Sequence, residues 1–531
     1  MSVTTLLAGA APLAADTIPA PKLDYAALAP MLIVLGAACV SMLVEAFIPR
    51  SARHVVQLVL SLAALVASLV WLVKFASEGK AVITAGAAIA IDRPSLFLQG
   101  LIVVLGIVSL LMIAERALER GGPFVAQAAI TAGSEADRRQ AVREPGATEV
   151  YPLTLFALGG MMLFVSANDL LTMFVALEVF SLPLYLLCAL ARRRRLISQE
   201  AALKYFLLGA FASAFFLFGL ALVYGYSGSV KLGAIHNAHL AGGTPTTAQP
   251  EVLFFAGLAL LAVGLLFKVA AVPFHVWTPD VYQGAPTPIT ALMASCTKVA
   301  AFGGLLRVLY VAFDGAQWDI QPIVGTLAVL TMVIGGVLAV TQTDIKRLLA
   351  YSSVANAGYL LVGALAFNRD GLAWSMFYLA AYGFTVIAAF AVVSLVRDAD
   401  GEATHLSRWA GLGRRSPLYA SVFTFLLLAF AGIPLTSGFT AKFGVFAAAI
   451  EGGQTWLVIA GVVGSMILAF PYLRVVVMMW LSEPGEQSPT VSIPGALTSA
   501  TLMIGVLATL VLGVFPTPVQ DLASKAAEFI R

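Results

Sequence analysis

Six side chains able to carry a proton lie inside otherwise apolar runs. They are Glu178 in LLTMFVALEVFSLPLYLL, Lys204 in EAALKYFLLGAF, Lys268 and His275 in LLFKVAAVPFHVW, Lys298 in ALMASCTKVAAFGG, and Lys442 in PLTSGFTAKFGVF. An ionisable group near mid-membrane costs about 2.5–3.5 kcal/mol on the insertion scale, so each needs a reason to be there. Burial disfavours the charged form and an ion pair restores it, so a lysine with an intermittent partner can be loaded with a proton and emptied. The expectation is that Glu178 pairs with Lys204 or Lys268, and that breaking the pair sends a proton along the row. His275 could bridge the central lysines, because imidazole titrates near neutrality. Structural readings compete: Lys204 could snorkel to headgroups, Glu178 could be a fixed partner, and His275 could satisfy backbone freed by Pro273.

The elements that must position these groups are membrane helices. Of 531 residues 60% are hydrophobic and only 11% charged, with a mean hydropathy of +0.94, against roughly 25% charged in a soluble domain. A bilayer core about 30 Å thick needs roughly 20 apolar residues per crossing, and fourteen such spans are expected: 28–48, 55–76, 95–114, 150–166, 168–190, 200–226, 252–280, 287–311, 321–341, 344–366, 372–396, 417–450, 455–480 and 493–515. The fold class is therefore an all-α polytopic membrane protein; the alternating strands of a barrel are absent.

The seventh and twelfth spans are too long for one straight crossing, and each carries a proline in its middle, Pro273 in AAVPFH and Pro434 in AGIPLTSG. A proline there removes a helical hydrogen bond. The two spans lie five crossings apart, and an odd offset reverses orientation, so spans four to eight and nine to thirteen read as inverted five-helix repeats with broken helices 7 and 12. Residues 1–114 then form a peripheral three-helix segment, 115–149 a mobile inner-face loop, 150–311 and 321–480 the two repeats, and 493–531 a last helix with a short tail. Freed backbone at membrane depth is tolerated only beside protein or water, which points to the breaks as the transport site.

Loops after odd-numbered spans hold about 17 basic residues against about 7 on the other face, which places both termini outside. The run Arg192 to Arg195 reads as a positive-inside anchor, not a nucleic-acid patch. The Ala-rich start lacks the basic and apolar regions of a cleaved signal. Cys39, Cys188 and Cys296 have no CxxC or metal-ligand spacing and read as packing residues. His236 and His239 have a loose metal-like spacing but no third ligand nearby. No phosphate loop, dinucleotide fingerprint, haem motif or iron–sulfur cysteine run is present, so no redox centre is expected in this chain.

The run FKVAAVPFHVWTPDVYQGAPTPITALMASCTKVAAF, with DIKRLLAYSSVANAGYLLVG and GIPLTSGFTAKFGVF, resembles the antiporter-like subunits of NADH:quinone oxidoreductase, respiratory complex I, over about residues 150 to 480. VYQGAPTP and Lys442 are similar to the subunit N type, the counterpart of mitochondrial subunit 2; the M type would lead one to expect a glutamate at that position. The tail after the last span leaves no room for the lateral helix of the L type. The resemblance implies that Glu178 is the carboxylate of helix five, Lys204 the lysine of helix six, Lys268 its helix-seven partner, Lys298 the central lysine and Lys442 the terminal one. It further implies a proton-translocating subunit in a bacterial plasma membrane, with K-like and M-like neighbours and with FMN, iron–sulfur clusters and quinone on partner subunits. Loop 115–149 departs from the compact family pattern. Two rival readings share the fold: a subunit of an Mrp-like Na+/H+ antiporter, and a spacer that conducts nothing.

Overall fold

A computed structural model describes residues 22–119, 122–125, 134–135, 147–242, 251–398, 401–483 and 490–530. All fourteen expected crossings are helical. They are α1 Tyr25–Phe47, α2 Arg50–Ser77, α3 Arg93–Ala114, α4 Val150–Ser166, α5 Leu170–Cys188, α6 Arg195–Ser227, the pair α7 Glu251–Val269 and α8 Trp277–Gly284, and α9 Thr287–Ala312. The second set is α10 Gln317–Thr341, α11 Ile345–Ala364, α12 Arg369–Leu395, the pair α13 Pro417–Ala431 and α14 Ser437–Glu451, and α15 Thr455–Leu481, followed by α16 Ala496–Val514 and a short amphipathic α17 Thr517–Ala526. Carboxylates start several of them: Asp92, Asp169 and Asp344 accept from the first free backbone N–H groups of α3, α5 and α11, where the helix has donors to spare.

The two repeats share their packing pattern. In each, the first helix packs on the second (α4 on α5, α10 on α11) and on the last (α9, α15), while the third packs on the broken fourth (α6 on α7, α12 on α14). Small residues bring backbones together: a Cβ on Gly219 of α6 would meet Leu261 N at 2.6 Å and Gly257 O at 2.7 Å on α7. Such close approach is how membrane helices gain packing without a hydrophobic driving force. Of the first three helices, α1 and α2 leave long faces exposed, whereas α3 is buried over most of its length, packed among α4, α9, α12 and α16.

The breaks lie where the mid-span prolines placed them. Pro273 sits in the non-helical stretch between α7 and α8, and Pro434 in that between α13 and α14. Proline alone does not make a break, since Pro183, Pro322 and Pro471 lie within continuous helices. What distinguishes the two sites is left-handed backbone beside the proline: Ala270 at φ 65°, and Gly432 and Leu435 at φ 86° and 71°. The freed groups find partners, as the buried setting requires: Val272 N donates to Thr331 Oγ1 at 3.0 Å, and Trp277 Nε1 to Phe267 O at 3.0 Å. The seventh span ends later than expected, with α8 running to Gly284.

The expectation of a mobile loop is corrected at its described start. The start of loop 115–149 is tied down: Glu115 accepts from Thr498 N at 3.2 Å, and Glu119 pairs with Arg397 and, at 3.3 Å, with Arg193. Residues 120–121, 126–133 and 136–146 of that loop, and TPTTAQP at 244–250, fall outside the described residues. Within the Arg192 to Arg195 run, Arg195 is buried, whereas the exposed Arg194 donates to Thr404 Oγ1 at 2.8 Å and Glu402 O at 3.1 Å.

Candidate functional site

Lys268, at the end of α7, is 4% exposed. Its Nζ donates to Ser181 Oγ on α5 at 2.7 Å and lies 5.3–5.6 Å from the ring centres of Phe180, Tyr205 and Tyr185. Aromatic faces attract a cation, more strongly when water is excluded. Glu178 is one helical turn from Ser181 and accepts from Ser213 Oγ of α6 at 2.5 Å. Among the described residues no salt bridge joins Glu178 to Lys268 or Lys204, so the expected direct pair is replaced by a carboxylate and an ammonium held on neighbouring serines.

Lys204 departs further from expectation. Its side chain is 42% exposed and pairs with Glu200 and Asp280, each at 2.7 Å; Asp280 also binds Arg347 at 2.6 Å. Asp280 stands in the quoted run WTPDVYQG but was not singled out, because the sequence does not say that α8 brings it against α6.

Lys298 lies midway along α9, a helix buried all round. It is 4% exposed, donates to Ser353 O of α11 at 2.6 Å, and sits 5.5 Å from the ring centre of Tyr382. A π-helical turn, Met293–Thr297, ends immediately before it, and a second, Val308–Ala312, closes the helix. Single π turns within α-helices recur at functional sites, and nothing in the sequence signalled them. Lys442, in the first turns of α14, is 6% exposed and donates to Phe430 O and Ala431 O at 3.0 and 3.2 Å, the free carbonyls at the end of α13. Tyr359 lies beneath it, ring centre at 4.6 Å. A cavity of about 10 Å³ between Lys442 and Tyr382 is at the lower limit for one water, and it links the surroundings of the two lysines.

His275 is buried in the first break, with Nδ1 lacking a hydrogen-bond partner and its ring centre 6.3 Å from that of Tyr351. His239 stacks on Phe254 at 4.2 Å, a packing role. Two buried cations escaped the sequence reading. Arg307, wholly buried in α9, binds Asp92 at 2.7 Å, and Lys346, at the start of α11, is 3% exposed. Both lie near helix ends, where a charge reads as a rim residue.

A row of ammonium groups held by neutral oxygens and aromatic faces, at two helix breaks and in the helix between them, can bind and release protons. Residues 167–468 match the family model "NADH:quinone oxidoreductase/Mrp antiporter, TM". The chain is 69% identical over 513 residues to NADH-quinone oxidoreductase subunit N of Salinispora arenicola, covering 96% of this chain and 99% of that one. It is 59% identical to the subunit N of Saccharopolyspora erythraea, covering 95% and 98%. Among solved structures it resembles a chain of respiratory complex I from Thermus thermophilus, at a TM-score of 0.74 and 34% identity over 93% of this chain and 99% of that one. A chain of the Mrp complex from Dietzia superposes with a TM-score of 0.77 over 95% and 97%, but at 24% identity that likeness carries the fold alone. The chain belongs to the subunit N family of NADH-quinone oxidoreductase, within the antiporter-like membrane subunits.

Proposed function

We propose that this chain moves protons across the membrane along Glu178, Lys268, His275, Lys298 and Lys442, with Lys204 at the rim of the row. Quinone reduction on other subunits of an NADH:quinone oxidoreductase drives the movement. The observation that carries the reading is the state of three lysines: Lys268, Lys298 and Lys442 are each at most 6% exposed, and each donates to a neutral oxygen. A permanently charged structural lysine would gain most from a carboxylate, since breaking up a buried pair is strongly destabilising. A lysine that must give its proton away needs a weaker hold.

Segments 150–311 and 321–480 form the two halves of the route, each with one break. FMN, iron–sulfur clusters and the quinone site belong on partner subunits, and K-like and M-like chains are the neighbours. The membrane is the bacterial plasma membrane, and the excess of basic residues after odd-numbered spans supports outer termini. The test is to purify the tagged complex from its native membrane, identify its subunits by mass spectrometry, and measure NADH-driven proton uptake by vesicles with Lys268→Ala. Loss of uptake in an assembled complex is expected. Unchanged proton stoichiometry would sink the reading, and sodium-dependent uptake by a complex without NADH activity would replace it with the antiporter.

A further inference from the structure

Lys346 has no place in the row above, yet it is buried where four inner-face segments meet. The first turn of α11 carries it, and Asp344, which caps that helix, lies beside it. Its Nζ donates to Ala285 O at 2.8 Å and to Thr287 Oγ1 at 3.1 Å. Thr287 in turn donates to Glu402 Oε2 at 2.5 Å. Glu402 is positioned by a short hairpin, Val396–Asp398 with Gly401–Glu402, that pairs with Thr490–Val491. The three groups line a cavity of about 60 Å³, room for several waters where one needs roughly 10–15 Å³. Arg192, Arg193, Arg194, Arg397 and Glu119 form its other charged walls.

We infer that this cavity is a proton-loading vestibule, in which Glu402 takes a proton from the inner aqueous side and passes it through the Thr287 hydroxyl to Lys346. The inference rests on the proton-carrying reading above. The geometry supplies a continuous ammonium, hydroxyl and carboxylate row at a cavity with room for water. Inward, two turns along α11 from Lys346 and about 10 Å away by helical rise, Ser353 offers its carbonyl to Lys298. When Lys346 has passed its proton toward Lys298 it is neutral. The Thr287 O–H then gives its proton to Nζ while taking one from protonated Glu402. The hydroxyl is regenerated, Glu402 returns to carboxylate, and one proton has moved inward.

The test uses the intact complex in inside-out vesicles, reading NADH-driven proton uptake with a pH-sensitive dye and subunit content by mass spectrometry. Glu402→Gln and Thr287→Val are each expected to lower uptake about tenfold, less than the full contribution of a positioned proton carrier because water in the cavity bypasses part of the row. Thr287→Ser and Glu402→Asp should recover it. Thr287→Val keeps the shape of the side chain, so it decides the matter if Glu402→Gln fails to assemble. Wild-type uptake in Thr287→Val, or a Thr287→Ser variant as slow as Thr287→Val, overturns the inference. Lys298→Met run in parallel separates the two levels. If it abolishes uptake while the vestibule variants do not, only the vestibule is wrong; if it too pumps normally, the parent reading fails.

Discussion

At the first break Lys268 turns away from its own helix and donates to a side-chain hydroxyl on α5, whereas at the second Lys442 folds back onto the carbonyls of the half-helix that precedes it. The two halves share a packing pattern and a broken fourth helix, so the difference lies in the acceptor. Ser181 is a movable group one turn from Glu178, and Glu178 is itself held by a serine of α6. A small shift of either helix changes the grip on Lys268. Phe430 O and Ala431 O are backbone at a helix C-terminus, which carries about half a negative charge and cannot be rearranged without unwinding α13. The first half thus holds its proton with an adjustable partner, and the second with a fixed one.

The largest break in that comparison should come from Lys442→Met. The backbone offers no substitute proton carrier, and removal of a positioned proton-transfer group costs roughly 100-fold or more. NADH-driven proton uptake by vesicles containing the assembled complex should fall accordingly. Ser181→Ala should act only on the first half. A hydrogen bond to a charged group contributes about 1.5–3 kcal/mol, so coupled NADH:quinone turnover is expected to drop on the order of tenfold, with Ser181→Thr retaining it. Tyr359→Leu sharpens the second half. Loss of a desolvated cation–π contact of about 1–2 kcal/mol corresponds to roughly fivefold to thirtyfold, while Tyr359→Phe should leave turnover near wild type because the ring face, not the hydroxyl, meets Lys442. The smallest effect belongs to Lys204→Gln. Its partly exposed pairs with Glu200 and Asp280 fall in a class worth about 0–1 kcal/mol, so turnover should change by no more than about fivefold.

Each expected span coincides with a helix or a pair of helices, because a bilayer imposes one length and one composition on a crossing. The breaks were legible as well, since Pro273 and Pro434 fall in the middle of runs too long for one passage. The partners were not. α3, α9 and α12 are buried on most or all sides, so no polar stripe reveals which neighbour each face meets. That is why Arg307, on α9, escaped notice, while Glu178 on α5 accepts from Ser213 where a lysine was expected. Asp280 reaches Lys204 because α8 packs against α6, and Lys346 is covered where the hairpin carrying Glu402 and the arginine run come together around it. Those are facts of three-dimensional assembly.

The most direct test of the central claim, that buried lysines carry the translocated proton, is the number of protons moved per electron by Lys298→Met complex reconstituted in sealed vesicles. Its subunit content should be verified and its electron transfer measured with and without a protonophore. The account predicts that fewer protons are moved per electron, since Lys298 is the lysine of the row that lies between the two breaks. An assembled Lys298→Met complex that moves the wild-type number of protons per electron would contradict it.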